Sequence, residues 1–309
     1  MTTYNILIVD DDSVIKESLV NYLTRFHKAG YKLKVDSAET VKESKELLNQ
    51  KDYNLAIIDI NMPNESGFDL IEAINKNYPK TKTALITAYK VEDYLKLCRD
   101  KGVSNIIVKT APFNFKELSY VINGLLEPDK YLFGIHNYLN SETEVQSLTI
   151  NSSNSLAIAQ ATIRDCMSTL KVNNLELLSI ALLEAMTNAL YHAPHNSNGT
   201  KKYDRDIIIQ ELTPDEIVEI HYGWDEEKLG ISITDHAGKL NKDNVLYWLN
   251  RNVTGANILD STGRGLYLMH SIVDRLIINI NPDVKTEIIF LIYLKEIFSG
   301  HKPIYINQI

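Results

Sequence analysis

Asp10, Asp11, Asp12, Asp59, Thr87 and Lys109 share one feature: each stands at or just past the end of a short apolar run. If those runs are strands of one parallel sheet, their carboxyl ends gather these groups at a single edge. Carboxylates brought together repel one another unless a hard cation or a lysine compensates, so Mg2+ held by oxygen ligands is the natural occupant. With the cation present Asp59 stays ionised and can attack phosphorus. Thr87 and Lys109 would then hydrogen-bond and neutralise the transferring phosphoryl oxygens. Taken singly these residues have blander readings, Asp10 to Asp12 as helix caps and Lys109 as a solvated side chain. Their joint placement favours the site.

A second constellation lies in the run Ser179 to Ala193. At helical spacing Glu184, Asn188 and His192 fall at i, i+4 and i+8, a polar stripe on an otherwise apolar helix. A buried carboxylate beside a carboxamide is costly unless both are satisfied. A metal-bound phosphate ligand would satisfy them, and so would a structural pairing with neighbouring backbone. Downstream, Leu229 to Asp235 reads as a strand delivering Asp235 into the loop His236-Ala237-Gly238-Lys239. Thr262-Gly263-Arg264-Gly265 opens a helix from Leu266 to Asp274, and glycine-rich helix starts present backbone amides to a phosphate chain.

The elements that must position these residues follow from the patterning. Strands are expected at Asn5 to Val9, Lys32 to Val35, Leu55 to Ile58, Thr83 to Ile86 and Ile106 to Val108. Helices are expected at Ser13 to His27, Ala38 to Gln50, Gly67 to Asn77, Val91 to Lys101 and Phe113 to Leu126. Five such units predict an α/β domain over residues 1–126, a doubly wound (βα)5 sheet. Glu127-Pro128 stops the last helix. Residues 127–146 form a linker, with Tyr131-Leu132-Phe133 and Tyr138-Leu139 apolar enough to dock on one domain, and His136 structural or solvated. Residues 147–298 form a second domain, with helices from Ser155 to Leu170 and through the stripe, and a strand from Ile288 to Leu294. The tail, 299–309, is expected to pack along the surface or fray.

At 309 residues the chain is long enough for two cores. A net charge of −8 without a dense basic cluster argues against nucleic acid as the main partner. The two cysteines, Cys98 and Cys166, fit neither a disulfide framework nor a zinc site. No apolar run approaches the roughly 20 residues that cross a bilayer, and no leader is evident, so a cytoplasmic protein without membrane association is expected.

The first half resembles a bacterial response-regulator receiver domain through Ile8-Val9-Asp10-Asp11, Ile58-Asp59-Ile60-Asn61-Met62-Pro63 with Gly67, Thr87-Ala88 and Lys109. The resemblance implies that Asp59 accepts a phosphoryl group from a histidine kinase or phosphotransfer protein. It further implies Mg2+ held by Asp11, Asp59 and the Asn61 carbonyl, with Asp10 acting through water. Two places differ from the family pattern: Thr110 and Ala111 separate Lys109 from Pro112, and Ile106 replaces the aromatic usual three residues before the lysine.

Residues from about 147 to 297 resemble the Bergerat-fold ATPases, the anti-sigma-factor serine kinases above all, through the order Glu184-x-x-x-Asn188, Asp235 loop, Gly263-Arg264-Gly265 and strand hairpin. The resemblance implies an α+β sandwich binding ATP. Asn188 would hold Mg2+ on the phosphates, Glu184 would be the general base, and Asp235 with Thr286 would read adenine. Gly263 and Gly265 would line the phosphates beside Arg264 and His192. The aspartate loop departs from the family, with Ala237 and Lys239 where glycines are usual and Gly238 between them.

Together the halves suggest a response regulator whose output is a protein serine/threonine kinase or ATPase acting on an anti-sigma-factor antagonist or a sigma factor, with homodimerisation compatible. An alternative keeps the fold as a nucleotide-binding interaction module without turnover. A histidine kinase fused to its receiver is disfavoured, because Gly134 to Asn140 does not resemble the dimerising hairpin that a phosphoacceptor histidine needs.

Overall fold

The structure, a computed structural model, describes residues 2–28, 30–63, 65–253, 264–295 and 300–309. The chain divides into two compact units, Met1–Pro128 with Phe298–Pro303 and Asp129–Ile297 with Ile304–Ile309.

The first unit runs β1 (Thr2–Val9), α1 (Ser13–Thr24), β2 (His27–Lys28), β3 (Tyr31–Ala38), α2 (Val41–Gln50) and β4 (Leu55–Asp59), then the short hairpin β5 (Asn61–Met62) and β6 (Glu65–Ser66). It continues with α3 (Gly67–Asn77), β7 (Lys82–Thr87), α4 (Leu95–Asp100), β8 (Asn105–Val108) and α5 (Phe115–Leu126). Its strands lie in the order β2-β3-β1-β4-β7-β8, and all pairings but the short β2 are parallel. Ile6 to Val9 and Leu55 to Ile58 are fully buried along their whole length, the signature of a parallel sheet covered on both faces. Each such side chain withdrawn from water contributes about 1.5–3 kcal/mol, so the sheet centre is a rigid base for the groups at its carboxyl edge.

Helix starts differ from expectation where a capping side chain decides them. The Thr40 hydroxyl accepts from Glu43 N, so β3 extends through Ala38 and α2 begins at Val41. Asn114 caps α5 in the same way. The stretch Val91 to Lys101 is not one helix: a 3-10 turn, Val91–Tyr94, precedes α4.

In the second unit α6 (Pro128–Tyr131) carries the chain in from the first. It is followed by β9 (Gln146–Ile150), α7 (Ser153–Thr169) and α8 (Leu175–Thr187), then β10 (Val218–Trp224), β11 (Lys228–Asp235), α9 (Lys242–Val253), α10 (Arg264–Ile272), β12 (Arg275–Asn281), β13 (Lys285–Tyr293) and β14 (Ile304–Gln308). Its sheet, in the order β14-β12-β13-β11-β10-β9, is antiparallel except where β14 joins β12. The expected surface tail is therefore corrected: Ile304, Tyr305 and Ile306 are buried, and Tyr305 to Gln308 pair with Ile277 to Ile280 of β12, because their backbone groups find a strand edge to complete.

Successive residues of β11 face opposite sides, and almost all are buried, so both faces are covered. Ile233 and, on β13, Ile288 face the helices. On the other face Ile135 and Leu139 of the connector lie over Gly230. There the Gly134 amide donates to both Glu287 oxygens at 3.1 Å, and Asn279 Nδ2 donates to Leu132 O (2.6 Å) and Glu287 Oε2 (3.1 Å). A polar group is left in a core only when its partners are this complete. His136 is exposed. Among the described residues no helix is long and apolar enough to cross a membrane.

Candidate functional sites

The carboxyl edge of the first sheet brings the predicted residues together. Ligand oxygens of Asp10, Asp11 and Asp59 lie within 4.8 Å of one another. Asp12 is separated from them by its own role: it caps α1, accepting from Val14 N (2.9 Å) and Ile15 N (3.2 Å). Lys109 Nζ donates to Asp10 Oδ1 (3.1 Å) and Asp59 Oδ2 (2.9 Å). It also lies 2.9 Å from Asp10 Oδ2, a charge contact out of hydrogen-bond alignment, so that buried oxygen has no aligned donor. Burial raises the carboxyl pKa values of Asp10 and Asp59, against the opposing pull of Lys109. Burial alone would lower the Lys109 pKa, but the two carboxylates raise it. Two buried carboxylates and the exposed Asp11 against one ammonium leave a negative cluster with an unsatisfied oxygen, a donor set that fits a hard divalent cation. Thr87 is buried, its hydroxyl accepting from Tyr89 N at 3.0 Å. Asn61 is exposed, and its side-chain oxygen accepts from Tyr94 Oη at 3.0 Å, a contact without a signal in the spacing of residues.

The second site is a cavity of about 560 Å³ in the second unit, bounded by Glu184, Asn188, His192, Asp235 and Gly265 with Trp248 and other side chains. The α-helix expected through His192 ends at Thr187, and Asn188–His192 form a π-helical turn closed by Ala193 N to Asn188 O at 3.1 Å. Single π turns of this kind recur at functional sites because they re-aim side chains. Arg205 shows that the three stripe residues still converge: its Nη2 donates to Glu184 Oε1 (2.9 Å) and Asn188 Oδ1 (3.1 Å), and its Nε to His192 Nε2 (2.9 Å). Burial lowers the His192 pKa, helped by Lys201 and Arg205.

Asp235 Oδ1 accepts from the amides of Ala237 (3.0 Å) and Gly238 (3.1 Å), which hold the loop, while burial raises its pKa. Thr286 stands across from Asp235 in the β11–β13 register; its buried hydroxyl lies near enough to favour the carboxylate but in no aligned hydrogen bond. Gly265 sits at the start of α10 where a Cβ would come within 2.4 Å of Glu184 Oε1, so a larger residue there would push the Glu184 side chain from its present position. Gly238, at φ +58°, meets the β12–β13 turn, where a Cβ would lie 2.5 Å from Asn281 O. It is not among the residues bounding the cavity, and neither are Arg264 and Thr286, whereas Lys239 is. Gly263 lies outside the described residues. Sequence reasoning missed Lys201 and Arg205, which lie in a polar run without periodicity.

Residues 6–123 match the family "Response regulator receiver domain" and residues 151–291 the family "Histidine kinase-like ATPase domain". The response regulator protein PilR of Pseudomonas aeruginosa is 32% identical over 162 residues, covering 52% of this chain and 35% of PilR. The transcriptional regulatory protein PmrA of Pectobacterium parmentieri is 29% identical over 150 residues, covering 48% of this chain and 61% of PmrA. The chain thus spans less than two thirds of either relative. Among solved structures, the response regulator TrrA of Thermotoga maritima, in complex with Mg(2+)-BeF, is 33% identical, with 41% of this chain and 100% of that one covered and a TM-score of 0.35. With both matches falling on the two units described above, the chain joins a response regulator receiver domain, residues 6–123, to a histidine kinase-like ATPase domain, residues 151–291.

Proposed function

We propose that phosphorylation of Asp59 controls the ATP-binding domain, which acts as a protein serine/threonine kinase or ATPase of the anti-sigma-factor type. The observation that carries this reading is the presence on one chain of the Asp10–Asp59–Lys109 cluster and of a cavity bounded by Glu184, Asn188, Asp235 and Gly265.

In the receiver, an Asp59 carboxylate oxygen attacks the phosphorus of a phosphohistidine on the upstream kinase or phosphotransfer protein. The P–N bond breaks, imidazole leaves, and Asp59 becomes an acyl phosphate. Lys109 and the Thr87 hydroxyl are placed to bond the transferred oxygens. Asp10, Asp11, Asp59 and the Asn61 carbonyl would hold Mg2+, which supplies charge neutralisation at the phosphoryl group. In the second domain Asn188 would hold the Mg2+ of ATP. Glu184 would take the proton of the attacking hydroxyl or water, Asp235 would face the adenine with Thr286 opposite it in the strand register, and His192 and Gly265 would border the phosphates. Asp235, on the cavity wall with one carboxylate oxygen held by the loop amides, supports a polar heterocycle there.

Incubation with labelled ATP and candidate anti-sigma-factor antagonists tests the kinase form. Phosphate on a serine or threonine, lost in Glu184→Ala, supports it; no transfer to any candidate rejects it. A second reading, a nucleotide-dependent binding module for a sigma factor or antagonist, draws on Arg205 engaging Glu184. It predicts nucleotide binding with the same background hydrolysis in wild type and Glu184→Ala.

A further inference from the structure

The polar segment 194–207 folds back on itself and onto the cavity. Asn196 N donates to Thr200 O (2.8 Å), Lys202 N to Pro194 O (3.1 Å), and Lys202 Nζ and Tyr203 Oη both donate to Glu216 (2.6 and 3.0 Å). These bonds deliver the flanking Lys201 and Arg205 to the cavity wall. Lys201 Nζ then lies 3.2 Å from His192 Nδ1, while Arg205 Nε–H points at His192 Nε2. A neutral imidazole offers one acceptor nitrogen. Arg205 uses it at Nε2, so Nδ1 carries the proton and meets the Lys201 ammonium donor against donor. Among the described residues Glu184 is the one carboxylate that Arg205 contacts, and the exposed Lys201 ammonium faces the imidazole N–H with no protein carboxylate between them. Lys239, the third cation of the wall, is paired with Asp283 at 2.6 Å. An anion with several oxygens, placed between Lys201, Arg205 and His192, would supply the missing acceptors and relieve the donor contact.

We propose that Lys201 and Arg205, with His192, form the seat of the terminal phosphate of a nucleoside triphosphate, so that this cavity holds triphosphate in preference to diphosphate. The proposal rests on the ATP-site reading above and adds to it the residues that distinguish the two nucleotides. Turning the Arg205 guanidinium from Glu184 Oε1 and Asn188 Oδ1 to a phosphate oxygen exchanges one charged acceptor for another. It also frees both oxygens for the base and metal-holding roles proposed for them.

Calorimetric titration of the full chain with Mg2+ and either AMP-PNP or ADP tests this. Wild type should bind AMP-PNP at least roughly tenfold tighter than ADP, the worth of one charged hydrogen bond. Lys201→Ala/Arg205→Ala should bind the two equally while keeping its ADP affinity within about threefold, which also reports that it is folded. Arg205→Lys should retain part of the preference. The seat is overturned if wild type does not favour AMP-PNP over ADP, if the double variant keeps the wild-type preference, if its ADP affinity falls in parallel, or if it binds AMP-PNP more tightly than wild type. Wild type binding neither nucleotide would instead remove the ATP-site reading and the seat with it.

Discussion

Lys109 Nζ stands 2.9 Å from Asp59 Oδ2 and 2.9 Å from Asp10 Oδ2, one ammonium shared by two buried carboxylates. Removing it leaves both charges without their cation, so Lys109→Ala should destabilise the receiver unit by about 3–5 kcal/mol in denaturant unfolding. Added Mg2+ should recover part of that loss, because in the proposed site it would bind the same oxygens in the folded state. A loss below about 1 kcal/mol, the range of exposed pairs, would mean that the cluster is solvated rather than buried.

Tyr94 Oη donates to Asn61 Oδ1 at 3.0 Å, and its ring packs 6.1 Å from Phe68 between centroids, tying the 3-10 turn before α4 to the loop after Asp59. With Ile106 in the place of an aromatic, this bond is a direct link from the acid cluster to that turn. In amide NMR spectra, beryllofluoride and Mg2+ should shift residues 91–100 of the wild type. In Tyr94→Phe the shifts near Asp59 should persist while those of 91–100 shrink. Unchanged shifts in the variant would assign the coupling to another route.

Glu184→Ala should lower ATP turnover by about 100-fold or more, the usual cost of losing a general base, with AMP-PNP affinity within a few-fold of wild type. Asn188→Ala should instead weaken the Mg2+-dependent part of binding. Equal loss of affinity in both variants would point to a structural pair.

Gly238→Ala forces a Cβ to 2.5 Å from Asn281 O and 2.6 Å from Val284 N at φ +58°. The second unit should lose about 1–3 kcal/mol or more of stability, from strain and the displaced turn. Lys239→Ala, which removes an exposed ion pair, should leave the melting temperature unmoved. A fully stable Gly238→Ala would show that the loop can stand off the β12–β13 turn.

Burial holds the Glu287 pKa above its ordinary 4.5. A carboxyl raised on folding contributes stability that is complete below the unfolded pKa and is lost as pH rises through the folded one. Relative to wild type, Glu287→Gln should therefore gain stability as pH increases above about 4.5. Unfolding curves of both proteins from pH 4 to 8 measure this. A constant difference across the range would mean that the carboxyl titrates as it does in the unfolded chain.

The receiver sheet was legible because its strands are continuous apolar runs ending in the polar residues that gather at its carboxyl edge, so Ile58-Asp59 or Val108-Lys109 marks both an element and its candidate site. Element ends were less so: Thr40 and Asn114 settle helix starts through hydrogen bonds, not periodicity, whereas the start of α1 after Asp12 was read correctly. The stripe Glu184, Asn188 and His192 was read at α-helical spacing, and its convergence survives although a π turn carries Asn188 to His192. Lys201 and Arg205 could not be read, because a tertiary fold-back rather than local spacing brings them to the cavity. The strand Ile304 to Gln308 was missed for a related reason, since a five-residue segment becomes a strand only when a partner such as β12 is there to pair with it.

The most direct test of the account measures ATP turnover of the full chain with Mg2+, with and without beryllofluoride, in wild type, Asp59→Asn and Glu184→Ala. Wild-type turnover should change at least severalfold on beryllofluoride addition, Asp59→Asn should turn over ATP without responding, and Glu184→Ala should fall to background in both conditions. Turnover in wild type that ignores beryllofluoride, or a rate unaffected by Glu184→Ala, would contradict control of a nucleotide site by the receiver.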